Sequence, residues 1–333
     1  MNIIVPMAGR GSRLRPHTIT LPKPLVPIAG KPIVEWLVED IVAMASEKVE
    51  EIGFVVGDFG KETEERLLEV AARLGAKGHI FYQDQPLGTA HAILCGRPLL
   101  KGPVVVAFAD TLFRADFQID PQADGVLFVQ RVAQPEAFGV VITDEQGAIV
   151  EYVEKPQVPV SDLAMIGIYA FRDGARLERA LQRLIDEDIR NGGEYQLPDA
   201  LRDMTAAGLR FIPGAVSEWL DFGNKVAAVE SHRRVLEGHA AARSIHPDAQ
   251  LVESVVIPPC YIGPGVRIER SVVGPHVSLG AGTQVKDSRI THSLVQDHAR
   301  LERTVLSGAM IGNHARISGH WTDVSLGDYS EWG

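Results

Sequence analysis

Two hydrophobic rhythms divide the chain. Up to about residue 240, short apolar runs alternate with stretches whose apolar residues recur every three or four positions. The runs 3–6, 52–56, 80–82, 104–109 and 125–129 read as strands, and 33–44 and 61–74 read as helices. Several runs, 104–109 above all, carry no polar alternation, as expected of strands buried on both faces. The fold class predicted for this part is α/β, a mostly parallel Rossmann-like sheet covered on both faces by helices. Residues 140–142 and 149–153 form a hairpin pattern about 144–147. In 174–190, Leu177, Leu181, Leu184 and Ile185 make a core-facing helical stripe, and a last helix is expected over 225–237.

From about residue 250 the rhythm changes. Apolar anchors fall at Ile262, Ile268, Val273, Leu279, Val285, Ile290, Val295, Leu301, Leu306, Ile311 and Ile317, in steps of five or six. Gly263, Gly274, Gly280 and Gly312 each follow an anchor. A hexapeptide period with small residues at the corners predicts a parallel β-helix, here of three to four coils. The expected domains are therefore 1–240, with the chemistry, and 250–330, the β-helix, joined by a linker over 241–250.

Composition narrows the function. The chain of 333 residues has a net charge of −10, which disfavours nucleic acid or an anionic membrane as a partner. It runs almost at once into a strand, with no leader pattern, and no apolar run approaches the roughly 18 residues of a membrane helix. The two cysteines, Cys95 and Cys260, sit in apolar contexts and read as buried, reduced thiols. These features predict a cytoplasmic protein.

Against that acidic background, residues 8–32 stand out. After the first strand run come Ala8, Gly9, Gly11 and Ser12, with Arg10, Arg13, Arg15 and Lys23 supplying four cations and five prolines stiffening the rest. Open backbone N–H groups beside fixed positive charge suit a polyphosphate. A Rossmann fingerprint would need glycine where Leu14 stands, and a P-loop would need Ser or Thr where Pro32 stands. Two acids could complete such a site with a hard metal. Asp110 follows the apolar run 104–109, at the carboxyl end of a strand, where ligands of open α/β sheets bind. Asp221 follows Trp219-Leu220. Taken alone, Asp110 could instead cap a turn with Thr111 and Asp221 the helix after it; together with a triphosphate loop they form an oxygen site for Mg²⁺.

The stretch also resembles the signature of the sugar-1-phosphate nucleotidylyltransferases, G-x-G-[ST]-R-L-x-P-x-T followed by P-K-P-L-x-P-x-x-x-K-P. Gly9, Gly11, Ser12, Arg13, Leu14, Pro16 and Thr18 match the first part, and Pro22, Lys23, Pro24, Leu25, Pro27, Lys31 and Pro32 the second. The order of later motifs is similar to the longer glucose-1-phosphate thymidylyltransferase-like branch, with a C-terminal left-handed β-helix. The resemblance implies an enzyme that joins an NTP to a sugar 1-phosphate, with release of pyrophosphate. It assigns Arg13 and Lys23 to catalysis. It assigns Ala8, Gly9, Gly11, Ser12, Arg13, Gln83, Gly88 and Thr89 to the nucleotide, and Gly139, Glu154 and Lys155 to the sugar phosphate. Asp110 and Asp221 become the Mg²⁺ ligands. Gln83 lies five residues before Gly88, the offset at which pyrimidine-using members place a base-reading Gln, so dTTP or UTP with glucose 1-phosphate is expected. Met165 stands where many members carry Asn, and Pro198 replaces Thr in the GEYQLPDAL segment, 193–201.

Three alternatives stand beside this reading. One is mannose-1-phosphate guanylyltransferase activity, and another is a non-catalytic nucleotide-sugar sensor. The third adds acetyl transfer in the β-helix with His276, His292, His298, His314 or His320 as base. The β-helix itself is expected to mediate assembly into a homo-oligomer.

Overall fold

The computed structural model describes residues 1–9, 11–115, 123–239, 242–319 and 323–332. Arg10 and His320 lie outside them. Contacts divide the chain into two units: Met1–Gly9 with Leu37–Trp219, and Arg10–Trp36 with Leu220–Gly333. Most of the glycine- and cation-bearing stretch 8–32 is therefore grouped with the C-terminal coils, while Ala8 and Gly9 stay with the sheet.

The first unit is built on a nine-stranded sheet. Asn2–Pro6 lies parallel to both Glu51–Val56 and Val104–Ala107, and Glu51–Val56 lies parallel to Lys77–Tyr82. This parallel half is the one legible as unbroken apolar runs, and Ile3, Ile4 and Val5 are fully buried in it. The other half turns on the long strand Leu163–Phe171, antiparallel to Val104–Ala107, Gly125–Arg131 and Gly139–Thr143. The hairpin Gly139–Thr143 with Ile149–Glu154 closes that edge. The α-helices among the described residues are α1 (Ile33–Met44), α2 (Lys61–Arg73), α3 (Thr89–Cys95), α4 (Gly174–Asp186), α5 (Leu197–Ala206) and α6 (Lys225–Gly238). The stripe Leu177, Leu181 and Leu184 of α4 is fully buried, in one core with Leu197 and Leu201 of α5 and Ile93 of α3.

In the second unit the chain winds into a β-helix of three parallel strand stacks, two of six strands and one of four among the described residues. Successive partners Gln250, Arg267, Gln284, Arg300 and Arg316 advance 17, 17, 16 and 16 residues per coil. All eleven anchors read from the sequence line its core. There are more coils than three to four, because winding starts at Ser244–Ile245 and continues to Glu331–Trp332. The end coils escape the count because their inward positions, such as Ile245 and Leu251, are still exposed.

The corners are hydrogen-bonded from coil to coil. The Ser254, Ser271 and Ser288 hydroxyls accept from the backbone N–H of Ser271, Ser288 and Thr304 at 3.0, 2.9 and 3.1 Å. A second corner carries Asp297, Asn313 and Asp328, accepting from the N–H of Ala281, Asp297 and Asn313 at 2.8, 3.0 and 2.6 Å. Among the described residues of the coils, nine non-glycine residues have positive φ, on three columns: Glu253, Arg270, Asp287 and Arg303; His276 and His292; and His298, His314 and Tyr329. The last column is stacked ring on ring at 4.9 and 4.8 Å. Helix α6 is capped by the Asn224 side chain, which accepts from Ala227 N–H. Fully buried His232 of α6 meets the Ser278 hydroxyl through Nε2 at 2.6 Å. No helix among the described residues is long and apolar enough to cross a membrane.

Candidate active site

The expected site residues fall into two groups, one in each unit. In the first unit, the Met7 N–H donates to Val55 O at 2.8 Å, so sheet pairing continues to the residue before Ala8, and Gly9 beyond it is exposed. Gln83 follows Lys77–Tyr82 at a strand carboxyl end, with its backbone N–H on Val56 O at 2.9 Å. Its side-chain amide donates to Gly88 O at 3.1 Å and to His91 Nδ1 at 3.2 Å, and burial pushes the His91 imidazole down, toward the neutral acceptor form. The amide nitrogen of Gln83 is thus engaged within the protein.

The Gly88–Thr89 turn is buttressed by the segment 194–197, which explains the GEYQL sequence. Tyr195 N–H donates to Leu87 O at 2.8 Å and Ala90 N–H to Tyr195 O at 2.9 Å. The Thr89 hydroxyl donates to Gln196 Oε1 at 3.1 Å and accepts from Leu197 N–H at 2.9 Å, so it is engaged within the protein. The Tyr195 and Gln196 roles were not anticipated, although their motif was.

Farther along the same sheet, Gly139 and Glu154 are register partners across the hairpin. A Cβ at Gly139 would lie 2.8 Å from both Glu154 Oε2 and Met165 Cε, so the glycine, the acid and the residue standing in for Asn meet at one point. Lys155 has positive φ and an exposed side chain, with Nζ 3.9 Å from Glu154 Oε1. Asp110 is half-buried beyond Val104–Ala107. The buried Tyr169 hydroxyl senses both acids: burial first, then the Glu154 and Asp110 carboxylates, raise its pKa and keep it protonated. Trp219 was also missed as a spacer. Its ring packs on Phe138 at 5.0 Å and its indole N–H reaches Thr111 Oγ1 at 3.5 Å, joining the neighbours of Gly139 and Asp110.

In the second unit, Gly11 sits in the left-handed region at φ 63, and a Cβ there would be 2.5 Å from Lys23 Cβ. Only glycine lets the Lys23 stem lie across this turn. Lys23 is 6 % exposed, whereas Ser12 and Arg13 are exposed on the short helical turn that follows Gly11. The Thr18 hydroxyl donates to Gly11 O at 2.8 Å. Lys31 lies 4.3 Å over the Trp36 ring, a placement that suits packing better than phosphate contact. Asp221 is half-buried; its carboxylate accepts from Gly223 N–H at 2.8 Å and its backbone oxygen from the Ser231 hydroxyl at 2.7 Å. It does not cap α6, since Asn224 does. No group of three or more His, Cys, Asp or Glu able to hold a metal occurs among the described residues.

The family model described as nucleotidyl transferase matches residues 2–238, and the chain belongs to that family. Among curated proteins it is similar to a glucose-1-phosphate thymidylyltransferase of Streptomyces griseus, 31 % identical over 99 % of this chain and 98 % of the relative. It is also similar to one of Streptomyces antibioticus, 28 % identical over 96 % of this chain and 94 % of the relative. A mannose-1-phosphate guanylyltransferase of Mycobacterium tuberculosis is 29 % identical over 86 % of this chain and 83 % of the relative.

Proposed function

We propose that the protein joins an NTP, dTTP first and UTP next, to glucose 1-phosphate, giving the nucleotide sugar and pyrophosphate. The observation that carries this reading is geometric: Gly139, Glu154 and Met165 meet at one point of the sheet, an acid suited to sugar hydroxyls, and the same sheet carries Asp110, an acid suited to a metal-bound nucleotide, beyond Val104–Ala107. The two thymidylyltransferase relatives, aligned along almost the whole chain, support the same reaction.

In the proposed reaction a sugar phosphate oxygen attacks the α-phosphorus in line and pyrophosphate departs opposite. No covalent enzyme intermediate is required, so catalysis is positioning and charge neutralisation. Arg13 holds the β- and γ-phosphates, and Lys23 neutralises the meeting of sugar phosphate and α-phosphate. Ala8, Gly9, Gly11 and Ser12 bind the triphosphate, and Gly88 and Thr89 form the second nucleotide turn. The Gln83 carbonyl oxygen accepts the N3–H of thymine or uracil. Glu154 accepts from sugar hydroxyls, Gly139 allows the sugar to approach the backbone, and Lys155 meets the sugar phosphate. The carboxylates of Asp110 and Asp221 are hard-oxygen donors that fit Mg²⁺, whose remaining ligands would be phosphate and water. When bound, the ion supplies charge neutralisation at the α-phosphate.

Residues 1–240 hold every group in this scheme, and 250–330 serve assembly of a homo-oligomer in the cytoplasm. A second reading, GTP with mannose 1-phosphate, is favoured by the Mycobacterium relative. A matrix of dTTP, UTP, GTP, CTP and ATP against glucose, mannose and N-acetylglucosamine 1-phosphates, read by pyrophosphate release, separates these readings. Highest kcat/KM for dTTP or UTP with glucose 1-phosphate is expected. A GTP–mannose preference overturns the substrate assignment, and no turnover in any cell leaves a nucleotide-sugar sensor.

A further inference from the structure

We infer that the β-helix holds the phosphate loop in its working conformation, with Asp328 and Ser325 of its last coil as positioning residues for NTP binding. The inference rests on the assignment of that loop to the nucleotide.

Residues 11–36 belong to the same unit as the coils, and their contacts run along one strand stack. In the second coil, the Tyr261 ring occupies the space a side chain at Gly30 would take, 2.2 Å from an ideal Cβ. In the fourth, Gln296 Nε2 donates to Pro27 O at 3.3 Å. In the last, the Ser325 hydroxyl meets His17 Nε2 at 3.1 Å, the Thr20 hydroxyl donates to the Asp328 carboxylate, and Pro16 Cβ lies 2.9 Å from where a Cβ on Gly327 would stand. Coil and loop here are 308 residues apart in sequence.

The geometry makes this a chain of restraint. Asp328 is itself fixed, because its other carboxylate oxygen accepts from the backbone and side-chain N–H groups of Asn313 at 2.6 and 3.3 Å. From Thr20 and His17 the restraint passes to Thr18, whose hydroxyl holds Gly11 O, and from Gly11 to the Lys23 stem packed against it. The segment cannot anchor itself by burial at its tip, since Ile19 is 70 % exposed. His17, by contrast, is 6 % exposed, and its partner is a neutral hydroxyl, so the clasp does not depend on an ion pair with it. Groups that bind phosphate through backbone N–H must be held in place before the ligand arrives, or binding energy goes into ordering them.

The test uses the full chain with Thr20→Val, Ser325→Ala, Asp328→Ala and the Thr20→Val/Asp328→Ala double variant. Lys286→Ala is the control, since it breaks an exposed pair with Glu302 in another strand stack. Two measurements are made: hydrogen exchange of the amides of residues 11–22, and kcat and KM for NTP and sugar 1-phosphate. Roughly tenfold faster loop exchange and a roughly tenfold higher KM for NTP are expected, with the KM for sugar 1-phosphate within about twofold. Exchange across 284–302 should be unchanged, the control should match the parent, and the double variant should be no worse than its worse single. The inference is overturned by parental loop exchange in Thr20→Val and Ser325→Ala, by additive losses in the double variant, or by faster exchange with an unmoved NTP KM. Should Asp328→Ala fail to fold, the Thr20 and Ser325 variants carry the decision. If the parent protein turns over no substrate pair, the functional reading fails, and the exchange data alone uphold or overturn the restraint.

Discussion

Acid should weaken the second unit through His232, and the size of the effect follows from its burial. The ring is 0 % exposed on α6; Nε2 meets the Ser278 hydroxyl and Nδ1 has no partner. Burial first, then His276 and His292, pushes its pKa from 6.5 to about 3. Folding therefore keeps the neutral ring, while the unfolded chain takes up a proton below about pH 6.5. The contribution is complete above pH 6.5 and is lost as pH falls from there toward 3. At about pH 5 the unfolded ring is 1.5 units below its pKa and the folded ring still neutral. At about 1.36 kcal/mol per unit, His232 alone costs about 2 kcal/mol between pH 7.5 and pH 5. The assay is urea unfolding of the parent and His232→Phe at both pH values, followed by tryptophan fluorescence, since Trp36 in this unit packs 4.9 Å from His239 just beyond α6. At pH 7.5 the variant should be less stable by about 1–2 kcal/mol, because Ser278 loses its partner. On moving to pH 5 it should lose about 2 kcal/mol less than the parent, so the two curves approach or cross. His17, lowered to about 4 by burial, adds to the acid loss of both proteins and cancels in the difference. Equal losses in parent and variant would refute the assignment of this slope to His232.

The remaining predictions concern the reaction. Lys23→Ala should lower kcat by about 10²-fold or more with circular dichroism unchanged, and an unaltered kcat in pyrophosphate release would remove Lys23 from the mechanism. Asp110→Asn and Asp221→Asn should each abolish Mg²⁺-dependent turnover in a metal titration, whereas full recovery at modestly higher Mg²⁺ would leave them structural roles. Gln83→Ala should flatten the ranking of dTTP, UTP and GTP by kcat/KM and also loosen the Gly88 turn it bonds, and an untouched ranking would place base reading elsewhere.

What the sequence disclosed was what local periodicity encodes. The parallel half of the sheet, α1, the hairpin about 144–147 and all eleven coil anchors were readable because each announces itself within a few residues. The site motifs were readable as residue types at fixed spacing. Their supports were not. That Tyr195 and Gln196 brace the Gly88 turn, that Trp219 reaches Thr111, and that Thr20 reaches Asp328 all depend on groups brought together across about a hundred residues or more. The antiparallel run of Leu163–Phe171 through the sheet was likewise hidden, because a strand's direction is set by its neighbours and not by its composition. The extra coils were missed because terminal rungs expose positions that interior rungs bury, which erases the apolar mark.

The positive-φ corners of the β-helix give the protein adjustable thermal tolerance. Nine side chains there, from Glu253 to Tyr329, occupy backbone that costs an L-residue roughly 1–2 kcal/mol, less for Asp, and for which Asn is better suited. Coils contribute to solenoid stability nearly independently, so relief at one corner should add to relief at the next. Arg303→Asn or Glu253→Asn would each raise the melting temperature a little, and together they would raise it by the sum. A lineage moving to a hotter habitat could climb by single-codon steps at these positions, and one moving to a cold habitat could let bulky side chains return.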